Sequence, residues 1–210
     1  MIDEKRDFNK AAATWDENPG RVRMAHDVAQ TILLTIRPGP DMDVLDIGCG
    51  TGLLSLAIQP HVRSITAIDS SHGMLDVLDK KIAAQGLANV RTRHVDLEKD
   101  ELPGPFDLAA SSMTFHHIKD TDLLLARIAG ILKPGGKIAI ADLDPDEGKF
   151  HDSNEGVFHF GFDRLTMKKS FDAAGFISVQ NRTAAIMQKS GLDERVRTFT
   201  VFLMTGEKRE

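Results

Sequence analysis

The chain has 210 residues and a mass of 23.1 kDa, is 41% hydrophobic and 27% charged, and carries a formal net charge of -5 and one cysteine. That length fits one α/β domain whose core needs no disulfide or structural metal, and it leaves little room for a second full domain. The acidic balance excludes bulk attraction to a polyanion, the lone Cys49 excludes an intramolecular disulfide and a Cys-based zinc site, and no apolar run approaches a membrane span.

In chain order, MIDEKRDFNK has no apolar core segment, so no secretory signal is expected, and with the single cysteine this fits a reducing cytoplasm. Residues 7–36 read as two helices broken at Asn18-Pro19-Gly20 and lying outside the sheet proper. From residue 40 short apolar runs alternate with amphipathic stretches, the pattern of a mostly parallel sheet covered by helices on both faces. Strands are predicted near 43–47, 64–69, 90–95, 106–112 and 136–143. Helices are predicted over 53–59, ending at Pro60, over 73–85, where Met74, Leu75, Leu78 and Ile82 recur at helical spacing before Gly86, and over 122–132, stopped by Lys133-Pro134-Gly135-Gly136. Residues 144–162 are polar, rich in His, Asp and Gly, and lack any apolar period, so they form a long loop that is functional or disordered. A helix over 164–174 ends at Gly175, and 176–189 with 197–207 form a closing antiparallel pair. The basic residues occur at most in pairs such as Lys80-Lys81 and Lys168-Lys169, which read as solvated helix faces; nucleic acid is not the expected partner. There is no internal repeat and no low-complexity tract.

The chemistry concentrates at Val44-Leu45-Asp46-Ile47-Gly48-Cys49-Gly50-Thr51-Gly52. A strand running straight into Gly48-x-Gly50-x-Gly52 and then a helix lets the backbone approach a ligand closely. The dinucleotide fingerprint G-x-G-x-x-G is not met, because the third glycine comes one residue early and Leu53 holds its place; no Lys-Ser/Thr follows, which excludes a P-loop. Asp46, two residues before the first glycine, repels a pyrophosphate but welcomes an ammonium group, so an amino-acid-bearing nucleoside suits the loop better. Asp69, 21 residues after Gly48, can accept hydrogen bonds from both ribose hydroxyls. Asp96-Leu97 offers a carboxylate to an adenine amino group, and Met74 can pack on the adenine face. Cys49 reads as a small packed residue, and taken singly Asp69 also reads as a cap for the next helix, Asp96 as a loop acid and Met74 as core.

In combination and order these residues resemble the class I S-adenosylmethionine-dependent methyltransferases, specifically the small-molecule branch that includes the ubiquinone/menaquinone-biosynthesis C-methyltransferases. Asp46 with Gly48, Gly50 and Gly52 is similar to that family's first motif, Asp69 to its ribose-binding acid, Asp96 to its adenine-contacting acid, and Leu132 to Gly136 to its turn into the fifth strand. The resemblance covers about residues 8–189. It implies a Rossmann-like doubly wound α/β fold, with a mostly parallel seven-stranded sheet ending in an antiparallel pair, an N-terminal helical lid segment over 1–40 and a methyltransferase domain over 41–210. It implies S-adenosylmethionine as cofactor, S-adenosylhomocysteine as product, and a cofactor set of Trp15, Asp46, Gly48, Gly50, Gly52, Asp69, Ser70, Met74, Asp96, Leu97 and Ser112. Phe8, Trp15 and Asp16 resemble the family's lid, with Trp15 helping to close the site.

Methyl transfer from a sulfonium is an in-line displacement, so the protein must chiefly align donor and acceptor and keep them dry. A general base is required only if the acceptor must lose a proton. The candidates are His116 and His117, after the fourth strand where the family carries its own histidine pair, and His151 and His159 in the long loop, near Phe160, Phe162 and Arg164. His117, His151 and His159 with Asp144 also raise a metal, but their spacing matches no metal motif and none is expected. The reading is methyl transfer to a small-molecule acceptor by a cytoplasmic monomer or homodimer. A tRNA or protein methyltransferase is the enzymatic alternative, opposed by the acidic charge and by Ser111-Ser112-Met113-Thr114 where an amino-methylating Asn/Asp-Pro-Pro-Tyr/Phe would lie. A non-catalytic S-adenosylmethionine-binding sensor or partner protein is the alternative of another class.

Overall fold

The computed structural model describes residues 7–190 and 195–210. Seven strands, β1 (Asp43–Ile47), β2 (Ser64–Asp69), β3 (Val90–His94), β4 (Phe106–Ser112), β5 (Leu132–Leu143), β6 (Phe176–Ser190) and β7 (Val196–Lys208), form one sheet in the order β3-β2-β1-β4-β5-β7-β6. The first five are parallel, and β7 runs antiparallel to both β5 and β6. The helices are α1 (Phe8–Ala11), α2 (Pro19–Ile36), α3 (Leu53–Ile58), α4 (His72–Gln85), α5 (Thr121–Ile131) and α6 (Arg164–Ala173). The chain moves outward from β1 to β3 and then returns to β4 beside β1, so the strand order reverses there. Ligands of open α/β sheets bind at such a reversal, outside the carboxyl ends of the strands.

Side-chain alternation assigns the two faces. Val44, Ala67, Leu108, Ala110, Ala139 and Ala141 face α2, α3 and α4, while Leu45, Ile47, Ala109, Ile138 and Ile140 face α5 and α6. The first face is lined largely by alanine, which lets α2 lie close. Met24, Val28, Ala29, Ile32 and Ile36 form its buried stripe. Asn18 caps α2 by accepting hydrogen bonds from the Gly20 and Arg21 amides, with Pro19 preset for the first turn. The span expected to be a lid outside the sheet therefore divides: the segment before Asn18 lies over the site, whereas α2 is a core helix. Residues 1–6 of that span lie outside the described residues.

Most element ends shift by a single residue, and the larger difference is at the fifth strand. The fifth strand begins at Leu132, not Gly136, because Phe106 pairs with Leu132 and Leu108 with Lys137; the Pro-Gly-Gly turn is absorbed as a bulge in which Gly135 has φ +70°. The third strand stops at His94, after which the Val95 amide donates to the Asp69 carbonyl. The long loop is pinned at its base. Phe162 donates its amide to the Leu143 carbonyl and Asp146 to that of Phe160, and Asp144 receives a two-pronged contact from Arg164 at 2.6 and 2.7 Å. Among the described residues no helix is long and apolar enough to cross a membrane.

Candidate active site

At the strand-order reversal a cavity of about 360 Å³ opens between the glycine loop, the segments following β2, β3 and β4, the N-terminal residues and the long loop. The glycine loop is folded back on β2: the amides of Gly48 and Cys49 both donate to the Ile68 carbonyl, at 2.8 and 3.0 Å. Gly48, at φ +68°, is crossed by Thr114, whose hydroxyl would lie 2.2 Å from a Cβ there. Gly50 lines the cavity beside Met74. Gly52 does not line it; at φ +82° it lies under Leu78 of α4, 2.3 Å from where a Cβ would be, so its smallness serves helix packing instead of ligand approach.

Asp46 is the most unusual group in the wall. Its Oδ2 accepts the Ser55 hydroxyl at 2.5 Å, whereas Oδ1 is buried without any hydrogen-bond partner. Burial pushes its carboxyl up to about 7, the Ser55 bond opposing and the nearby Asp69 charge reinforcing the shift. Asp69 is also raised, by burial, although the Ser71 and Gly50 amides each donate to one of its oxygens at 2.8 Å. These bonds set the carboxylate at the loop tip and leave each oxygen further acceptor capacity. Ser71, not Asp69, caps α4, by accepting the Met74 amide. Asp96 reaches the cavity while held by the Glu98 amide and Lys99, and Ser70, Leu97 and Ser112 complete the wall.

The N-terminal residues lie across this wall. Asn9 Oδ1 accepts the Ser71 hydroxyl and the Gly73 amide, at 2.9 and 2.8 Å. Asp16 accepts the Thr51 hydroxyl at 2.6 Å and pairs with Lys81 at 2.5 Å. Trp15 lines the cavity with the Arg21 guanidinium 4.1 Å from its ring centre, and Phe8 stands edge-on to His117 at 5.1 Å.

Opposite the glycine loop, three imidazoles converge. His116 is 1% exposed, and its Nδ1 lies 2.7 Å from Oδ1 of the equally buried Asp142. The parallel register pairing Ser112 with Ala141 brings the turn after β4 beside Asp142. Burial alone would raise Asp142, but the facing His116 and hydrogen bonds from the Leu143 and His116 amides hold it below its ordinary value. His117 Nδ1 meets the Gly156 carbonyl at 2.6 Å, and the His151 ring centre lies 4.9 Å from that of His116.

Of the four candidate bases, His116, His117 and His151 line the cavity; His159 does not, since its Nε2 is bonded to the Ile118 carbonyl and its ring packs on Phe162. Phe160, Phe162 and Arg164 are likewise outside the wall. Asp144 is engaged by Arg164 and by the Thr200 hydroxyl, and the imidazoles that converge are His116, His117 and His151, with His159 and Asp144 outside the group. Met113, Phe150 and Met187 also line the cavity and were not singled out by sequence. Met113 has φ +59°, a strained conformation for a non-glycine residue that turns the chain out of β4.

Residues 44–136 match the family described as a methyltransferase domain. An uncharacterized methyltransferase of Schizosaccharomyces pombe is 35% identical over 118 residues, which are 52% of this chain and 42% of that protein. A ubiquinone biosynthesis O-methyltransferase of Coxiella burnetii is 29% identical over 148 residues, 68% of this chain and 62% of that protein. The chain spans about half the length of the curated relatives it matches. In fold it is similar, at TM-score 0.74 and 20% identity over 97% of this chain and 98% of the other, to a chain in the solved complex between the Haloferax volcanii Trm112 methyltransferase activator and a putative methyltransferase. Residues 44–136 are thus similar to methyltransferase domains, and the seven-stranded fold around them is shared with that solved chain.

Proposed function

We propose that the protein methylates a small-molecule acceptor inside this cavity. The observation that carries the reading is Asp46 Oδ1, a buried carboxylate oxygen with no partner in the wall beside the glycine loop. An uncompensated buried oxygen is costly, and an ammonium group of a ligand is the partner it lacks. The donor set fits S-adenosylmethionine: Asp46 for the amino group, Asp69 for the ribose hydroxyls, and Asp96, Leu97 and Met74 around the adenine. Bound there, the sulfonium would supply an activated methyl group. The protein's own part is to align the acceptor, exclude water under Phe8 and Trp15, and receive any proton the acceptor loses.

His116 suits that last role, since Asp142 engages Nδ1 and leaves Nε2 as the nitrogen with a free lone pair. Met113, Phe150 and Met187 add an apolar lining to the cavity. The relative from Coxiella burnetii, named for methylation at oxygen in ubiquinone biosynthesis, supports a small acceptor of that kind.

Calorimetry with S-adenosylhomocysteine tests the cofactor assignment. Asp69→Ala should weaken binding by about 1–3 kcal/mol through lost hydrogen bonds, and equal affinity in both proteins would falsify the ribose role. Radiolabelled transfer to small phenols and thiols, set against tRNA and protein substrates, tests the acceptor. Transfer confined to the macromolecules would overturn the small-molecule reading, and tight cofactor binding with no transfer would mark a sensor or partner protein.

A further inference from the structure

We infer that His116, His117 and His151 form a site for one divalent transition-metal ion of the zinc class, with an open coordination position facing the cavity. One ring nitrogen from each lies within 4.8 Å of the other two. Nitrogens around tetrahedral zinc sit about 3.3 Å apart, so the rings must draw together by up to about 1.5 Å, within reach of side-chain torsions. His116 supplies an independent sign of a missing ligand: it is 1% exposed, yet its Nε2 has no hydrogen-bond partner. A buried imidazole nitrogen left so is uncommon in folded proteins.

The surroundings match what metal-binding histidines require. Such a residue donates its other ring N–H to a carboxylate or a backbone carbonyl, which fixes the tautomer and aims the remaining lone pair. Asp142 plays this part for His116 at 2.7 Å and the Gly156 carbonyl for His117 at 2.6 Å, so Nδ1 is engaged in both rings and in His116 the remaining nitrogen, Nε2, has no hydrogen-bond partner. His151 arrives from the long loop, whose neighbouring Phe150 carbonyl and Asp152 carboxylate are both held by Lys189 at 2.8 Å. An all-imidazole set favours zinc, iron, copper or nickel over magnesium or calcium, which take oxygen ligands. Three protein ligands with a fourth position open is the arrangement of catalytic zinc sites, as against closed structural ones.

Resting on the methyltransferase reading, this assigns an acceptor class and, with the metal bound, makes His116 a ligand instead of the proton acceptor, since its one remaining lone pair cannot serve both. The open position faces the cavity and would exchange its water for the acceptor's ionisable oxygen or sulfur, whose proton passes to solvent as the new bond to the metal forms. A Lewis acid there lowers the acceptor's pKa, so phenols and thiols fit better than unactivated carbon.

The test uses the full chain purified without a His tag, stripped with a chelator and titrated with Co(II) alone. Saturation at one Co(II) per chain is expected, with visible ligand-field bands that Zn(II) abolishes. His151→Ala should lose the bands, His61→Ala, in the turn before β2 and outside the cavity wall, should keep them, and Asp142→Asn should weaken binding about 10- to 100-fold. Far-UV circular dichroism and S-adenosylhomocysteine calorimetry on the same samples report folding and the cofactor site. Folded wild-type protein that takes up less than about a tenth of an equivalent of Co(II), or His151→Ala binding as tightly as wild type, overturns the site. Cobalt binding without S-adenosylhomocysteine binding would instead sustain the metal site and sink the methyltransferase reading.

Discussion

Asp46→Asn separates the cost of the buried carboxylate from its use. The side chain is 2% exposed and its carboxyl is raised from 3.8 to about 7, chiefly by burial. Because the folded value lies above the unfolded one, the native state keeps a proton that the unfolded chain releases. The stabilisation is full below about pH 4 and is lost as pH rises to about 7. At about 1.4 kcal/mol per unit the whole shift is on the order of 4 kcal/mol, and roughly half of it falls between about pH 5.5 and pH 8. For a chain of 210 residues the unfolding entropy is about 0.44 kcal/mol/K, so that half corresponds to a Tm difference of about 4–5 °C. Asparagine keeps the shape and the Ser55 contact but cannot titrate. Ligand-free wild type should therefore lose more Tm than Asp46→Asn over that pH interval, measured by differential scanning calorimetry, and near pH 8 the variant should be the more stable protein. Its affinity for S-adenosylhomocysteine should fall by about 10- to 100-fold, the loss of one charge-assisted hydrogen bond. Asp69 is also raised and titrates in the same sense in both proteins, and because its charge adds to the Asp46 shift the comparison reads Asp46 together with that coupling. Parallel pH curves, or an unchanged ligand affinity, would refute the assignment of Asp46 Oδ1 as a vacant anionic acceptor.

Gly52→Ala should cost about 1–3 kcal/mol of stability, because the new Cβ meets Leu78 at a residue held at positive φ. In urea denaturation the effect should be smaller in a Leu78→Ala background; strictly additive losses would show that Leu78 is not the obstacle. The single tryptophan, Trp15, should change its fluorescence when S-adenosylhomocysteine is added, since it lines the cavity and is flanked by Arg21; an indifferent signal would remove it from the cofactor's surroundings.

The sheet was legible because its signals are local. Val44 to Ile47 and Ile138 to Ala141 alternate between two buried faces, and the glycine loop must follow the first strand wherever that strand lies in the sheet. Asp46 and Asp69 were legible for the same reason, each sitting at the end of a predicted strand. Even α2 carries a readable stripe, Met24, Val28, Ile32 and Ile36 four residues apart, which marks a core helix. What could not be read depends on register and on loops. Asp142 reaches His116 only because Ser112 lies opposite Ala141, a pairing that no spacing in the chain discloses. His151 and His159 are equivalent in a segment without period, yet one reaches the cavity and the other turns to the Ile118 carbonyl. Gly52 has the spacing of a ligand-approach glycine and is spent on Leu78, a neighbour that appears only when α4 is packed.

The position of β7 has a consequence for how the molecule is made. It is the last strand in chain order but lies between β5 and β6, with Val201, Phe202, Leu203 and Met204 fully buried. Until those residues have left the ribosome, β5 lacks a neighbour on one side and β6 has none at all. Both then expose unpaired backbone and apolar faces of the kind that invite association with other chains. The closing event of folding is the insertion of a long antiparallel strand across distant sequence, a slow class of step. A chain cut short before Phe202 would thus forfeit the joint between the parallel and antiparallel parts of the sheet, and with it the support under β5 from which Asp142 holds His116.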